Sequence, residues 1–258
     1  MIRVVWVGLG IAFFAYMVLS YSARGVADSV LESADRVQVI EDDGTISFLP
    51  RGGERRTPLL FLPGGLVEPA AYAPLLRRVA ESGHAALLVR LPSLGGRHAV
   101  GARGRREAVD RALATLSILP PERRWVVAGH SLGGLLAAMV AREAPDRIAG
   151  LALLGTTHPR DFSLADAPYP VVKVFGTRDG IAPVERMRGN AAMLPSHTRW
   201  VAIEGGNHSQ FGYYGFQLFD RRARITREDQ QDRIAAALLE LLRNGSAPHD
   251  SQQAVPER

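Results

Sequence analysis

The segment VVAGHSLGGLL, residues 126–136, places a serine between two glycines where an apolar run meets a run of small residues. Its core, Gly129-His130-Ser131-Leu132-Gly133, matches G-x-S-x-G, a pattern typical of a sharp strand-to-helix turn that exposes a serine hydroxyl. Such a turn needs glycines two residues before and after the serine, because a Cβ atom there would collide with the turn. Ser131 is therefore a candidate nucleophile, and the amide of Leu132 is a candidate donor to an oxyanion.

A serine hydroxyl is a poor nucleophile unless a base accepts its proton and a third group orients that base. Asp179 follows the apolar run 171–175, and His208 follows the apolar run 200–203. A serine, then an acid, then a histidine, each just beyond a strand, is the order of a hydrolytic triad on an open α/β sheet. We therefore expect Ser131, Asp179 and His208 to act together.

Other residues compete for these roles. Asp161 and Asp166, which follow the apolar run 151–154, are the alternative acids, and Glu204 lies too near the end of a strand to be the first choice. His130 is the variable residue of the turn, where its side chain is predicted to point away from the nucleophile. The remaining histidines do not follow a late strand so directly: His84, His98, His158 and His197.

A second donor to the oxyanion is expected after the apolar run 59–62, which ends in Pro63-Gly64-Gly65-Leu66. Gly65, with Leu66 as its neighbour, is the candidate, and an ordinary turn is the alternative interpretation. The aromatic stretch 211–216, beyond His208, either lines an acyl pocket or packs beneath the loop.

The elements that must position these residues are short strands alternating with helices. The chain has 258 residues, 47% of them hydrophobic, which is enough for one domain with a sizeable core. Residues 36–49 alternate around Asp43-Gly44 and predict a β-hairpin. Helical patterns cover residues 72–83 and 106–116. Six apolar runs are typical of buried parallel strands: residues 59–62, 85–89, 125–128, 151–154, 171–175 and 200–203.

This alternation predicts an α/β fold, a mostly parallel, doubly wound sheet with helices on both faces, over residues 36–244. The last helix is expected over residues 227–242, with Thr226 as its N-cap. Residues 245–258 are polar and predict a disordered tail, and residues 25–35 predict a linker.

The N-terminal segment 1–24 is predicted to be a transmembrane anchor or a signal segment, because residues 4–23 carry no charge. A cleaved signal and a helix packed on the domain are the alternatives. Arg3 precedes the uncharged run, so the positive-inside rule favours a membrane-bound protein whose domain lies outside the cytoplasm.

The formal net charge is +5, but the arginines are scattered, with one cluster at Arg103, Arg105 and Arg106. This cluster is either a solvated face or a contact with anionic lipid headgroups. Since no nucleic-acid module accompanies the charge, nucleic-acid binding is not expected. The chain has no cysteine, which excludes disulfides and thiolate sites. It shows no dinucleotide loop and no histidine pair at zinc spacing, so neither a cofactor nor a metal is expected.

The motifs FLPGGLVEPAAYAPLLRRVAESG, GHSLGG, FGTRDGIAP and IEGGNHSQFGYYG together resemble the α/β-hydrolase superfamily over residues 36–243. More narrowly, they resemble small, anchored bacterial members similar to the dienelactone-hydrolase-like group. Two features depart from that pattern: Pro63 replaces a common histidine, and the cysteine nucleophile of a dienelactone hydrolase is missing. The resemblance implies the α/β-hydrolase fold and acyl-transfer chemistry. Residues 155–170 are too short for a large cap domain.

The expected function is a serine hydrolase that cleaves carboxylic esters or related acyl compounds through an acyl-enzyme, with a small-molecule ester as its substrate. Two alternatives remain open. A cofactor-free acyltransferase or perhydrolase would use the same triad, and a non-catalytic, membrane-tethered binding protein would use only the scaffold.

Overall fold

The computed structural model describes residues 2–52, 56–91, 93–94, 97–98 and 101–245. The strands in these residues are β1 (Val37–Glu41), β2 (Thr45–Pro50), β3 (Leu59–Leu62), β4 (Ala86–Val89), β5 (Ser93–Leu94), β6 (Arg97–His98), β7 (Trp125–His130), β8 (Ile148–Leu154), β9 (Val171–Gly176) and β10 (Arg199–Ile203). The α-helices are α1 (Ile2–Tyr21), α2 (Ala73–Glu81), α3 (Ala102–Leu116), α4 (Leu132–Glu143), α5 (Val184–Gly189) and α6 (Arg227–Asn244).

Eight of these strands form one sheet in the order β1-β2-β4-β3-β7-β8-β9-β10. Strands β1 and β2 form the predicted hairpin and pair antiparallel, and β2 joins the sheet antiparallel to β4. From β4 to β10 all neighbours are parallel. Each of the six predicted apolar runs lies in one of these parallel strands. The prediction of a mostly parallel α/β sheet is confirmed.

Helices cover both faces of the sheet. Successive side chains of a strand point to opposite faces, so apolar residues along one strand must be buried on both. On β3, Phe61 packs in the cluster that includes Leu76 of α2 and Leu238 of α6. Its neighbour Leu60 packs in the opposite cluster, which includes Val109 of α3 and Leu136 of α4. The sheet is therefore doubly wound, as the sequence predicts.

The carboxyl ends of parallel strands meet at one edge of the sheet, which is where ligands bind in open α/β folds. Strand β3 leads to Gly65, β7 to Ser131, β9 to Asp179 and β10 to His208. The topology thus gathers all four loops that carry candidate residues.

Helix α1 occupies most of the segment 4–23 that the sequence marks as a membrane anchor. Within the described residues, no helix is both long and apolar enough to cross a membrane. The prediction of a single-pass anchor is therefore not supported, nor are the membrane association and the location derived from it. The end of the helix instead packs on the domain, where Ser20 is buried and the Tyr16 hydroxyl donates a hydrogen bond to the Phe216 carbonyl.

The segments that flank the predicted domain differ in what the structure describes. The predicted linker 25–35 contains a short 3-10 turn, and Arg77 donates hydrogen bonds to three of its carbonyl oxygens. The Thr226 hydroxyl accepts a hydrogen bond from the Asp229 amide, so this N-cap of α6 is confirmed. Of the predicted tail 245–258, all but the first residue lie outside the described residues, and the disordered tail stays a prediction.

Candidate active site

Ser131 lies on a strained turn between β7 and α4. Its φ is 54°, in the left-handed region that side-chain-bearing residues rarely adopt. A Cβ atom on Gly129 would lie 2.0 Å from the Gly133 carbonyl oxygen, and one on Gly133 would lie 2.0 Å from the Leu62 carbonyl oxygen. Both positions therefore require glycine, which is the physical reason for the G-x-S-x-G spacing.

The turn presents the Ser131 hydroxyl without using it structurally. The backbone N–H of Ser131 donates to the Leu154 carbonyl at 2.9 Å, which fixes the turn against β8. The side chain is half-buried and does not cap α4, although Ser131 occupies the N-cap position. The hydroxyl thus lies at the N-terminus of a helix, where the helix dipole favours negative charge.

Asp179 and His208 form a buried pair. His208 Nδ1 lies 2.8 Å from Asp179 Oδ2, and the two side chains are almost completely inaccessible to solvent. The other carboxylate oxygen, Oδ1, accepts hydrogen bonds from the amides of Ile181 and Ala182 at 2.9 and 2.6 Å. Three donors therefore fix the carboxylate in one orientation.

This geometry determines which nitrogen of His208 carries the proton. An ionised Asp179 can only accept a hydrogen bond, so Nδ1 of a neutral His208 must donate. The Nε2 atom then carries a lone pair, and it is buried with no hydrogen-bond partner among the described residues. No hydrogen bond joins it to the Ser131 hydroxyl, a common finding in unliganded sites, where such contacts tighten only with substrate.

The competing acids do not reach His208. Asp161 is exposed and pairs with Arg160 at 3.6 Å, and Asp166 and Glu204 are exposed as well.

The competing histidines are engaged elsewhere or lie outside the described side chains. The imidazole of His84 bonds to the Thr57 carbonyl and that of His197 to the Tyr169 carbonyl. His158 lines a cavity beside α4. The side chain of His98 lies outside the described part of the chain. Of the candidate acids, Asp179 is the one that the structure pairs with His208.

A second buried carboxylate, Asp220, joins the loops that carry Asp179 and His208. Its Oδ1 accepts from the amides of Gly180 and His208 at 3.1 and 3.3 Å, and its Oδ2 accepts from the amide and the hydroxyl of Ser209 at 2.8 and 2.7 Å. Sequence reasoning missed Asp220 because FQLFDRRAR contains no motif. Its position 12 residues beyond His208 gives no local signal.

His130 also has a role that the sequence does not reveal. Its ring centroid lies 4.6 Å from that of His208, and its Nδ1 lies 2.8 Å from the Tyr72 hydroxyl. The same hydroxyl accepts a hydrogen bond from the Gly64 amide at 2.9 Å. Burial holds the pKa of His130 well below its ordinary value, so the ring is neutral. Tyr72 thus connects the turn after β3 with the residue that precedes Ser131.

The aromatic residues beyond His208 mainly pack beneath the site. Phe211 is buried and stacks on His130 with centroids 5.1 Å apart. The buried Tyr214 donates its hydroxyl hydrogen to the His208 carbonyl at 3.0 Å. Phe216 is 46% exposed. Of the two interpretations of this stretch, packing describes Phe211 and Tyr214.

The turn that carries Gly65 and Leu66 lies against Leu132, the residue that follows Ser131. A Cβ atom on Gly65 would lie 3.0 Å from the Leu132 side chain, so the turn after β3 faces the start of α4. Leu66 has a φ of 66°, which marks this turn as strained too. In the described part of the chain, the amides of Gly65 and Leu66 donate no hydrogen bond. The Leu132 amide, at the first position of α4, has no acceptor within the helix.

Among characterised proteins, the pimeloyl-[acyl-carrier protein] methyl ester esterase of Aromatoleum aromaticum is 38% identical over 121 residues. The match covers 45% of this chain and 44% of that protein, so the chain matches less than half of the length of this relative.

Several solved structures share the fold at low identity. Est1E from Butyrivibrio proteoclasticus is 16% identical with a TM-score of 0.55, covering 81% of this chain and 100% of its own. A thermophilic esterase from Thermogutta terrifontis is 15% identical with a TM-score of 0.59, covering 82% of this chain and 95% of its own. The Pyrobaculum calidifontis esterase is 17% identical with a TM-score of 0.59, covering 84% and 88%. These similarities establish the α/β-hydrolase fold, and no large cap is evident in the described residues.

The sequence profile of the alpha/beta hydrolase family matches residues 58–232, which contain every candidate site residue and most of the sheet. With the strand order, the strained serine turn and the shared fold, this match leads to one conclusion: the chain belongs to the alpha/beta hydrolase family.

Proposed function

We propose that this protein is a serine hydrolase that cleaves carboxylic esters through an acyl-enzyme. The observation that carries the proposal is the buried Asp179–His208 pair, whose unpartnered Nε2 lies at the same edge of the sheet as the strained Ser131 turn. The family match supports hydrolase chemistry. The name of the Aromatoleum aromaticum relative, a methyl ester esterase, supports a carboxylic ester as substrate.

In the proposed first step, His208 Nε2 accepts the proton of the Ser131 hydroxyl while Oγ attacks the ester carbonyl carbon. The Asp179 carboxylate holds the ring in the required tautomer and stabilises the imidazolium that forms. The tetrahedral intermediate then collapses, the bond from the carbonyl carbon to the alcohol oxygen breaks, and His208 returns the proton to the departing alcohol. The acyl group stays on Ser131.

The negative charge on the carbonyl oxygen requires donors at the moment it forms. We assign this role to the amide of Leu132 together with that of Gly65 or Leu66. The Gly65 turn faces Leu132, and these N–H groups have no other acceptor in the described residues. In the second step, water replaces the alcohol. His208 accepts a proton from the water, hydroxide attacks the acyl carbon, and Ser131 is released with its proton restored.

The first experiment tests the nucleophile. Ser131→Ala should lower ester turnover by on the order of 10³ or more, because attack by the hydroxyl is lost. The fold should survive, since the Ser131 side chain makes no structural hydrogen bond in the described residues. Steady-state kinetics on a p-nitrophenyl ester measures turnover, and circular dichroism checks that the variant is folded. Retention of more than a tenth of the activity would remove Ser131 from the mechanism.

The second experiment tests the acid against its competitors. Asp179→Asn should reduce turnover by orders of magnitude, because an amide cannot stabilise the imidazolium and favours the wrong tautomer. Asp161→Asn and Asp166→Asn are matched controls on exposed aspartates and should change turnover only several-fold. If Asp161→Asn or Asp166→Asn lost turnover by orders of magnitude while Asp179→Asn stayed active, that residue would be the acid instead.

The same assays separate hydrolysis from acyl transfer. Adding an alcohol or hydrogen peroxide and identifying the products shows which acceptor takes the acyl group. Free carboxylic acid as the main product supports the hydrolase. A dominant new ester or peracid would favour the acyltransferase or perhydrolase alternative.

A further inference from the structure

A cavity of about 540 Å³ lies beside α4 and is not part of the machinery described above. Leu135 and Met139 supply apolar lining from α4, and Phe162 supplies more from the loop after β8. Charged side chains complete the lining, with Arg142 and Glu143 near the end of α4 and Arg160 and Asp161 on that loop. The cavity thus combines apolar side chains from α4 and this loop with charged side chains at the end of α4 and on the loop.

The position of this cavity relative to Ser131 follows from helix geometry. Leu135 lies four residues beyond Ser131, and residues at this spacing share one face of a helix. At 1.5 Å per residue, Leu135 is about 6 Å and Arg142 about 16 Å along the axis from Ser131. The loop after β8, which supplies His158 to the cavity, also begins next to Ser131. The Ser131 amide donates to the carbonyl of Leu154, the last residue of β8, and His158 follows four residues later.

The positive charge of Arg142 is not balanced by a carboxylate in the described residues. Arg142 makes no hydrogen bond or ion pair within the described residues, and its guanidinium lies over the Phe162 ring at 5.1 Å. Stacking on a ring leaves the N–H groups at the edge of the guanidinium free to donate. Arg105, from the first turns of α3, also lines the cavity.

Two carboxylates border the same cavity, but each has a partner of its own. Both oxygens of Glu143 accept from Arg106 Nη1, at 2.8 and 3.0 Å. Asp161 pairs with Arg160 at 3.6 Å.

His158 adds a polar edge without adding charge. Burial, followed by the nearby Arg160, lowers the pKa of His158 to about 4, so the ring is neutral at pH 7. Its Nδ1 is buried with no partner in the described part of the chain. A neutral imidazole can donate or accept one further hydrogen bond, so the ring suits an oxygen-rich group of a ligand.

We infer that this cavity is a specificity subsite for esters whose chain ends in an anion, a carboxylate or a phosphate. The chain lies against Leu135 and Met139, and the anion binds Arg142 with support from Arg105. A planar guanidinium group binds a carboxylate or a phosphate through two parallel hydrogen bonds to its oxygens. The subsite therefore suits either anion. The inference rests on the proposed ester hydrolysis and specifies its substrate class.

The test compares p-nitrophenyl esters of equal chain length that end in a methyl group, a carboxylate or a phosphate. Wild-type protein should show a higher kcat/KM for at least one anionic ester than for the neutral one, and the two anionic arms identify which anion is preferred. Arg142→Gln should lower that preference about tenfold, the effect of losing a charge-assisted hydrogen bond, mainly through KM. Its activity on the neutral ester should stay within about twofold.

The matched control is Arg103→Gln. Arg103 is an exposed arginine of α3 that pairs only with Glu107 among the described residues, so its loss changes the net charge but not the cavity. If Arg142→Gln fails to fold, Arg142→Lys, which keeps the charge but loses the planar pair of donors, and Arg105→Gln repeat the test. Equal preference in wild-type protein, or equal losses in Arg142→Gln and Arg103→Gln, would overturn the subsite while leaving the hydrolase intact. Turnover of none of the esters would overturn the proposed function itself.

Discussion

At the scale of single residues, the Tyr72 hydroxyl occupies an unusual position. It accepts a hydrogen bond from the Gly64 amide and lies 2.8 Å from His130 Nδ1. Since it uses its lone pair for Gly64, its own hydrogen is available to His130, whose ring rests against His208. One buried hydroxyl therefore fixes the turn that precedes the proposed oxyanion donors and keeps a neutral histidine beside the proposed base.

We expect Tyr72→Phe to lower kcat about tenfold while KM changes little. The substitution leaves a buried N–H without an acceptor, which costs on the order of 1–3 kcal/mol, and loosens a turn whose donors act in the transition state. Tyr169→Phe is the matched control, because the Tyr169 hydroxyl is buried and donates to the Ala141 carbonyl away from the turn. Equal losses of kcat in both variants would indicate a general effect of stability rather than positioning.

Asp220 is the second residue whose role is positional. Both oxygens of Asp220 accept hydrogen bonds, including those from the amides of Gly180 and Ser209. Asp220→Asn replaces one oxygen with an NH₂ group, which cannot accept and would face an N–H donor. We expect a fall of at least about tenfold in kcat and in the rate of labelling by a fluorophosphonate, because the His208 loop loses its anchor. Asp42→Asn is the control, since Asp42 accepts from two backbone amides in the exposed β1–β2 turn. An Asp220→Asn variant with normal labelling would refute this role.

At the scale of secondary structure, β9 carries an unusual charge. Lys173 is buried in the centre of this strand, and its ammonium donates a hydrogen bond to the His158 carbonyl. Burial lowers the pKa of Lys173 to about 7. In the unfolded chain the ordinary pKa is near 10.5, so between these values the unfolded state binds more protons than the folded state.

Stability should therefore rise with pH across this window. We expect the free energy of unfolding of the wild-type protein to increase by about 2–3 kcal/mol between pH 7 and 9, relative to Lys173→Met. Below about pH 6 this difference should be constant, because Lys173 is then protonated in both states. Chemical denaturation of the two proteins at several pH values provides the comparison. Parallel pH dependence in both would contradict a depressed pKa.

Local sequence determines the strands and the serine turn, but not the contacts between loops. Strands such as β3 and β8 are predictable because their apolar runs have no polar interruption, and the Ser131 turn is predictable because only glycine fits at Gly129 and Gly133. Tyr72 and Asp220 are not predictable in this way, because their partners lie on other loops and only the tertiary fold brings them together.

At the scale of the whole molecule, the doubly wound sheet could be predicted, whereas the arrangement of α1 could not. An uncharged run of this length is typical of a membrane span, yet the residues that follow α1 pack on the domain: Ala23 bridges to Tyr214 and the Arg24 amide donates to the Tyr213 carbonyl. Within α1, the Tyr16 hydroxyl donates to the Phe216 carbonyl. All these partners lie on a distant loop, and the composition of the segment does not predict such contacts.

The central claim is that Ser131 is the nucleophile of this fold. Its most direct test is to treat the wild-type protein with a fluorophosphonate and to identify the modified residue by peptide mass spectrometry. We expect one adduct, on Ser131, because among the described serines only this one combines a strained turn and a helix N-terminus with a position at the same edge of the sheet as His208. An adduct on another serine, or no adduct on a folded protein, would contradict it.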